Sequence, residues 1–169
     1  VNKDFIKAKE YYELSAERGN SNALNNLGRI FEHGRGVNKD FIKAKEYYEL
    51  SAEQGNSDAL NNLGLLYKYG KGVNKDLFKA KEYYELSAKQ GNSSALYMLG
   101  CLYYYGGGEI KDYQKAKYYY IKCIEKDDDS FALFNLFSLL FEELDYLLIK
   151  HLCEKYARNK KYRFECLTN

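Results

Sequence analysis

The sequence predicts an all-α protein built as a solenoid of stacked helical hairpins, and three observations support that fold class. A 36-residue unit recurs: residues 1–36 and 37–72 share 28 identical positions, and residues 37–72 and 73–108 share 27. Each unit holds two helical patterns of apolar residues, separated by glycines. The 169 residues include no Pro, so nothing in the composition interrupts a helix. Neither helix could bury its apolar stripe alone, whereas stacked hairpins bury it continuously.

The first helix of a unit is predicted from Ala59 to about Tyr69, with Ser57 as its N-cap and Gly70 at its end. One helical face then collects the apolar residues of this segment, which are Ala59, Leu60, Leu63, Leu66 and Tyr67. Gly64 lies inside the helix, at the same phase as Gly28 and Gly100. A mid-helix glycine costs about 1 kcal/mol relative to alanine, so its recurrence indicates close helix approach.

The second helix of a unit is predicted from about Leu77 to Lys89, with Asp76 as its N-cap and Gly91 as its stop. Its inner face carries Ala80, Tyr83, Tyr84, Ser87 and Ala88. The short glycine turn and the longer Gly-x-Gly-Val-Asn-Lys-Asp loop join the helices into αα-hairpins.

The resulting units are 19–54, 55–90 and 91–126, preceded at 1–18 by a second helix without its first helix. The face from Phe5 to Glu17 is therefore expected to be incompletely covered, and the start at Val1, without Met, indicates an excerpt of a longer protein. Residues 127–169 are predicted to be a degenerate repeat plus a helical cap.

Two helices are expected in this cap. The first, around Phe131 to Phe141, is apolar nearly all round, which predicts burial on more than one side. The second is expected from Tyr146 to about Arg158, capped by Asp145, with Leu147, Leu148, Leu152 and Tyr156 facing inward. A docking or dimer surface is the alternative explanation for the surplus phenylalanines.

Three motifs carry a resemblance to a known family. They are Ala59-x-x-x-Leu63-Gly64-x-x-Tyr67, Gly70-x-Gly72-Val73-x-x-Asp76 and Lys79-Ala80-x-x-Tyr83-Tyr84. Together they resemble the SEL-1-like repeat (SLR) family, relatives of the tetratricopeptide repeats, strongly over residues 1 to about 126 and weakly over 127–150. Tyr11, Tyr47, Tyr83 and Tyr119 stand where the family usually has Trp. The resemblance implies a right-handed superhelical α-solenoid that acts as a non-catalytic scaffold or adaptor for proteins.

The differences between the units indicate where a partner would bind. Most lie on the first helix away from its apolar stripe, and first helices line the concave face in solenoids of this kind. The predicted partner-binding residues are Arg29, Glu32, His33, Leu65, Lys68, Tyr69, Tyr97, Met98, Cys101, Tyr104 and Tyr105. Aromatic residues and Met at such positions suit a protein or peptide partner, and Tyr69, Tyr104 and Tyr105 are expected to matter most. The alternative is that these positions vary because nothing constrains them.

Other functional classes have weaker support. A net charge of +2 argues against a dedicated nucleic-acid binder, and no apolar run is long enough to insert into a membrane. The basic run at 158–163 is interpreted as a solvated helix end rather than a localisation signal. The four cysteines form no CxxC pair, which favours free thiols in a reducing compartment, the cytoplasm.

No cofactor or metal is expected. Residues 127–129 lack EF-hand spacing and are predicted to cap the next helix, and His33 and His151 lack a ligand set. Some secreted, cysteine-rich relatives of the repeat have been linked to β-lactam binding or hydrolysis. They repeat a Cys pair in each unit, and this chain does not, so an enzyme is not expected. Self-association through the first helices and the apolar C-terminal segment is the remaining alternative.

Overall fold

The computed structural model describes residues 3–107, 111–127 and 129–156, and these residues form helices and no strands. The helices are α1 (Lys3–Glu17), α2 (Ser21–His33), α3 (Phe41–Glu53), α4 (Ser57–Tyr69), α5 (Leu77–Lys89), α6 (Ser93–Tyr105), α7 (Tyr113–Asp127), α8 (Ser130–Glu142) and α9 (Tyr146–Tyr156). The chain divides into two compact units, Val1–Leu99 and Gly100–Asn169. Asp128, Cys166 and the basic run at 158–163 lie outside the described residues.

Helices that are consecutive in the sequence pack against each other. In the first unit α1 to α5 pack in this order, and in the second unit α7 packs on α8 and α8 on α9. The largest fully buried side chains of the repeats are Tyr48, Tyr84, Tyr120, Leu27, Leu63, Leu66 and Leu99. The tyrosines come from second helices and the leucines from first helices, so the core lies between the two helices of each hairpin.

The glycine inside each first helix allows the second helix of the same hairpin to approach closely. A Cβ on Gly28 would lie 2.5 Å from Cε1 of Tyr48, and one on Gly100 would lie 2.5 Å from Cε1 of Tyr120. Gly64 faces the ring of Tyr84 in the same way. The predicted close helix approach is confirmed, because real Cβ contacts are never this short.

The helix ends are set by asparagine and aspartate side chains. The N-cap of α4 is Asn56, whose side-chain oxygen accepts a 3.0 Å hydrogen bond from the amide of Ala59. The prediction of Ser57 is therefore wrong by one residue, because the helix begins before its apolar pattern does. Asp76 caps α5 as predicted, and its own amide donates to the Tyr67 carbonyl at 3.0 Å. That bond ties the inter-helix loop to the first helix.

Polar side chains also connect successive repeats. The Asn56 Nδ2 donates to Asn22 Oδ1 at 2.8 Å, so one asparagine both caps its own helix and binds the preceding repeat. Within a repeat, the fully buried Ser51 and Ser87 of the second helices donate to the carbonyls of Ser21 and Ser57 at the start of the first helices, each at 2.7 Å. These bonds satisfy buried polar groups, and they fix the register between neighbouring helices.

Helix α1 contains no buried side chain among those described, as expected for a second helix without a first helix before it. Its Tyr11 is 71% exposed. The equivalent Tyr47 instead stacks on Phe31 with ring centroids 5.5 Å apart.

The C-terminal helices differ from the prediction in which faces they bury. Asp129 caps α8 as expected, accepting from the Ala132 amide at 2.8 Å. A single stripe of α8 is fully buried, formed by Ala132, Leu133, Leu136, Leu139 and Leu140, and the described residues do not bury a second side as expected. Phe131, Phe134 and Phe141 lie away from this stripe and remain exposed within the described part of the chain.

In α9 the expected inward orientation is wrong for Leu147, which is 87% exposed. Over residues 146–155 the buried side chains are Ile149 and Leu152, three positions apart on one face. Leu147 lies two residues before Ile149, which places it on nearly the opposite side of the helix.

Candidate partner-binding surface on the first helices

The structure sorts the predicted site residues by exposure. Arg29, His33, Tyr69 and Tyr105 are exposed, and the two tyrosines are 58% and 68% exposed. Leu65, Lys68, Tyr97, Met98 and Tyr104 are half-buried. Glu32 and Cys101 are buried. The surface available to a partner is thus formed by the first two groups.

The expected exposure of Glu32 and Cys101 is wrong for a common reason. Both side chains contact the hydroxyl of the buried tyrosine that packs against the glycine of the same first helix. The Tyr48 hydroxyl donates to Glu32 Oε2 at 2.8 Å, and the Tyr120 hydroxyl donates to Cys101 Sγ at 3.6 Å. These two positions therefore serve the packing between helices.

Glu32 also links two repeats. Its Oε1 lies 3.0 Å from the ammonium of Lys71, in the loop after α4. Only 8% of Glu32 is exposed. Burial, together with the neighbouring Glu32 carboxylate, raises the pKa of Tyr48 far above its ordinary value. The phenol therefore stays protonated and remains a hydrogen-bond donor to Glu32.

The exposed ring of Tyr69, in the compact unit Val1–Leu99, is flanked by two cations. The ammonium of Lys68 lies 5.2 Å from its centroid, and that of Lys71 lies 5.8 Å from it. Both distances are within the range of cation–π attraction. The end of α4 thus presents an aromatic face beside positive charge.

Two asparagines of this surface were not among the predicted site residues. Asn25 and Asn61 hold equivalent positions in α2 and α4, and both are buried. Asn62 Nδ2 donates to Asn25 Oδ1 at 2.9 Å across the two repeats. The sequence did contain a signal, because the adjacent Asn61 and Asn62 are replaced by Tyr97 and Met98 in the next repeat.

The compact unit Gly100–Asn169 carries an aromatic cluster at the end of α6. Tyr104 meets Tyr105 edge-on with centroids 4.8 Å apart, and it packs on Tyr113 at 5.7 Å. Its hydroxyl donates to Glu142 Oε1 at 2.7 Å. That hydrogen bond, with smaller effects of burial and of the Glu142 charge, raises the pKa of Tyr104 to about 12.

Replacing Glu142 with glutamine is expected to lower the pKa of Tyr104 toward the ordinary tyrosine value of about 10. In the native protein the neutral phenol is favoured by folding. The contribution of the Tyr104–Glu142 hydrogen bond to stability is therefore complete below the pKa of an unfolded tyrosine. It is lost as the pH rises through the higher pKa of Tyr104 in the folded protein. NMR titration of the tyrosine ring carbons measures this shift. Unchanged titration of Tyr104 in the glutamine variant would show that Glu142 does not hold its proton.

Other kinds of site lack supporting geometry in the described ranges. Residues 3–107, 111–127 and 129–156 contain no group of three or more His, Cys, Asp or Glu side chains that could hold a metal ion. Cys101, Cys123 and Cys153 form no disulfides with one another. None of the helices described here combines the length and the apolar character needed to cross a membrane.

Comparison with known proteins identifies the repeat. The Sel1 repeat family model matches residues 1–20, 21–56, 57–92 and 93–128. A search of curated proteins finds no significant match.

Solved structures show the same fold. A Sel1 repeat protein from Oxalobacter formigenes is 33% identical, with a TM-score of 0.75 over 82% of this chain and 56% of that one. The antigen c5321 of uropathogenic Escherichia coli, which displays an SLR fold, is 34% identical, with a TM-score of 0.77 over 84% of this chain and 30% of that one. Helicobacter pylori cysteine rich protein B is 30% identical, with a TM-score of 0.53 over 59% of this chain and 73% of that one.

The chain therefore spans 56% and 30% of the first two of these structures. Proteins built from such repeats generally mediate protein–protein interactions and are typically non-catalytic scaffolds. With four matched segments across most of its length and two similar solenoids among the solved structures, this chain belongs to the Sel1 repeat family and has its all-α solenoid fold.

Proposed function

We propose that this chain is a non-catalytic adaptor that binds a protein or peptide partner through the exposed side of its first helices. In solenoids of this kind that side lines the concave face. The observation that carries the proposal is the exposure of Tyr69 and Tyr105 at the ends of first helices, where large aromatic side chains are exposed to solvent. Tyrosine is enriched among residues that dominate binding energy at interfaces.

The surroundings of these tyrosines support the same function. Lys68 and Lys71 flank Tyr69, and Tyr105 meets the ring of Tyr104, which itself packs on Tyr113. Each ring is held by neighbours, so a partner would immobilise little that is not already ordered. The remaining exposed residues, Arg29 and His33, add polar contacts to this surface.

The proposal is tested by screening the purified chain against an immobilised library of random synthetic peptides. The library is made once with free and once with amidated carboxyl termini. We expect the best peptide to lose about tenfold or more in affinity when Tyr69 and Tyr105 are both changed to alanine. Adding Tyr104→Ala is expected to weaken binding further. Tyr104 also bonds Glu142, so circular dichroism of each variant must show an intact fold.

The matched control is a second pair of exposed tyrosines on second helices, Tyr11 and Tyr118. Replacing these two with alanine removes the same chemistry and should leave peptide affinity within about twofold. A library without binders, or equal losses in both pairs of variants, would contradict the proposal.

Self-association is a second candidate, favoured by the exposed phenylalanines of α8 and the exposed Leu147 of α9. Sedimentation velocity over a range of protein concentrations tests it. A dimer that dissociates in a Phe131→Ser/Phe134→Ser variant would support self-association through this segment, and a monomer at all concentrations would exclude it.

A further inference from the structure

The side-chain oxygen of Asn61 has no hydrogen-bond donor among the described residues, whereas the equivalent oxygen of Asn25 in the preceding repeat does. Asn25 Oδ1 accepts a hydrogen bond from Asn62. In the next repeat the residue at the position of Asn62 is Met98. A thioether cannot donate a hydrogen bond. Asn61, the equivalent of Asn25, is only 9% exposed, and among the described residues its Oδ1 has no hydrogen-bond partner.

A cation without a carboxylate partner lies beside the same methionine. The ammonium of Lys68 is 3.7 Å from Met98 Sδ and faces the ring of Tyr69. Lys68 is half-buried, and within the part of the chain that the structure describes no carboxylate lies within ion-pair distance of it. A thioether is a weak acceptor, so the ammonium has no strong acceptor among the described protein groups.

Met98 links the two positions: its Sδ lies 3.7 Å from Lys68 Nζ, and it is the repeat equivalent of Asn62, whose side chain reaches the Asn25 counterpart of Asn61. The buried amide oxygen of Asn61 lacks a donor, and the half-buried ammonium of Lys68 lacks an anionic acceptor, among the described residues. An unsatisfied buried polar group is costly, and a ligand that supplies both missing partners removes that cost on binding. A carboxylate close to a peptide N–H has the required chemistry.

We propose that Asn61, Lys68 and Met98 form a subsite for an acidic peptide segment. The peptide's carboxylate bonds the Lys68 ammonium, and an N–H of the same peptide donates to Asn61 Oδ1 once the flexible Met98 side chain moves aside. Met98 is suited to that movement because it is unbranched and adaptable. The ring of Tyr69 lies beside the carboxylate site and packs on the apolar part of the acidic side chain. This inference rests on the proposed function and adds the chemistry of the partner.

The test uses the best peptide from the library described above and its carboxylate-free versions, measured by fluorescence anisotropy. We expect Lys68→Gln to weaken binding about tenfold, equivalent to ~1.4 kcal/mol. Lys75→Gln, which removes an exposed lysine and changes the net charge equally, should have little effect. Loss of affinity at high salt should be smaller in the Lys68→Gln variant than in the native chain.

The peptide versions identify the source of the carboxylate. If amidation of the peptide terminus removes the effect of Lys68→Gln, the carboxyl terminus is the ligand. If changing Asp to Asn or Glu to Gln removes it, an acidic side chain is the ligand. Either result supports the subsite. A peptide whose affinity depends on neither change, or on Lys68 no more than on Lys75, overturns the subsite and leaves the proposed function standing. A library without binders overturns both.

Met98→Asn provides a second, independent test. This change gives Asn61 the donor that Asn25 receives from Asn62, so the acceptor is no longer available to a ligand. We expect peptide affinity to fall about fivefold while the midpoint of urea unfolding stays the same or rises. Unchanged affinity in this variant overturns the assigned role of Asn61.

Discussion

Replacing Gly64 with alanine is expected to lower the free energy of unfolding by about 2 kcal/mol, although alanine is the better helix former. The new Cβ would lie 2.6 Å from Cδ1 of Tyr84, whose side chain is fully buried. The ring has no room to move, so α4 and α5 must separate. Helix propensity alone predicts a gain of about 1 kcal/mol, so the two explanations differ in sign. Urea unfolding followed by circular dichroism measures the change.

A double-mutant cycle identifies the cause. In a Tyr84→Leu background the added methyl group no longer meets a ring, so Gly64→Ala should cost little. We expect a coupling energy of about 1 kcal/mol or more between the two positions. If Gly64→Ala alone raised the free energy of unfolding, or if the effects of the two substitutions were additive, close packing of the Tyr84 ring would not be the reason for the glycine.

Replacing the buried Glu32 with alanine is expected to lower the free energy of unfolding by about 2 to 3 kcal/mol. The substitution removes the acceptor of the buried Tyr48 hydroxyl and the partner of Lys71. An unsatisfied buried hydroxyl accounts for most of the loss, because the side chain of Lys71 is 40% exposed and its ammonium can be hydrated. Thermal and urea unfolding measure the difference.

Two variants separate these contributions. Lys71→Ala removes only the partly exposed ion pair and should cost less than about 1 kcal/mol. Glu46→Ala removes an exposed glutamate of α3 and should change stability by less than about 0.5 kcal/mol. If Glu32→Ala were no more harmful than Glu46→Ala, the buried network would not contribute to stability.

Sequence periodicity predicted the repeated helices well because the same local signals recur in every unit. The bounds Leu77–Lys89 and the caps Asp76 and Asp129 follow from short-range rules for helix ends. The N-cap of α4 was misplaced because a polar first turn extends beyond the apolar stripe. Which faces of α8 are covered could not be predicted, since an apolar helix does not show in its own sequence where its neighbours lie.

The candidate surface was less predictable because its exposure depends on distant residues. Glu32 and Cys101 vary between repeats, which indicated surface positions, yet tyrosine hydroxyls from the second helix bury both. The partner of Asn25 comes from the next repeat, 37 positions away. No short-range pattern reports a hydrogen bond across that separation. The exposed Tyr69 and Tyr105 were predictable because they lie outside the apolar stripe of their helices.

The most direct test of the proposed function is to map where a library-selected peptide binds. Amide NMR spectra of the native chain are recorded during titration with that peptide. Binding through the first helices predicts that the largest shifts occur at first-helix positions such as the exposed Arg29, Tyr69 and Tyr105 and the half-buried Lys68. The exposed second-helix residues Ile42, Phe78 and Tyr118 should change little. Shifts concentrated on the second helices, with the first helices unaffected, would contradict the account.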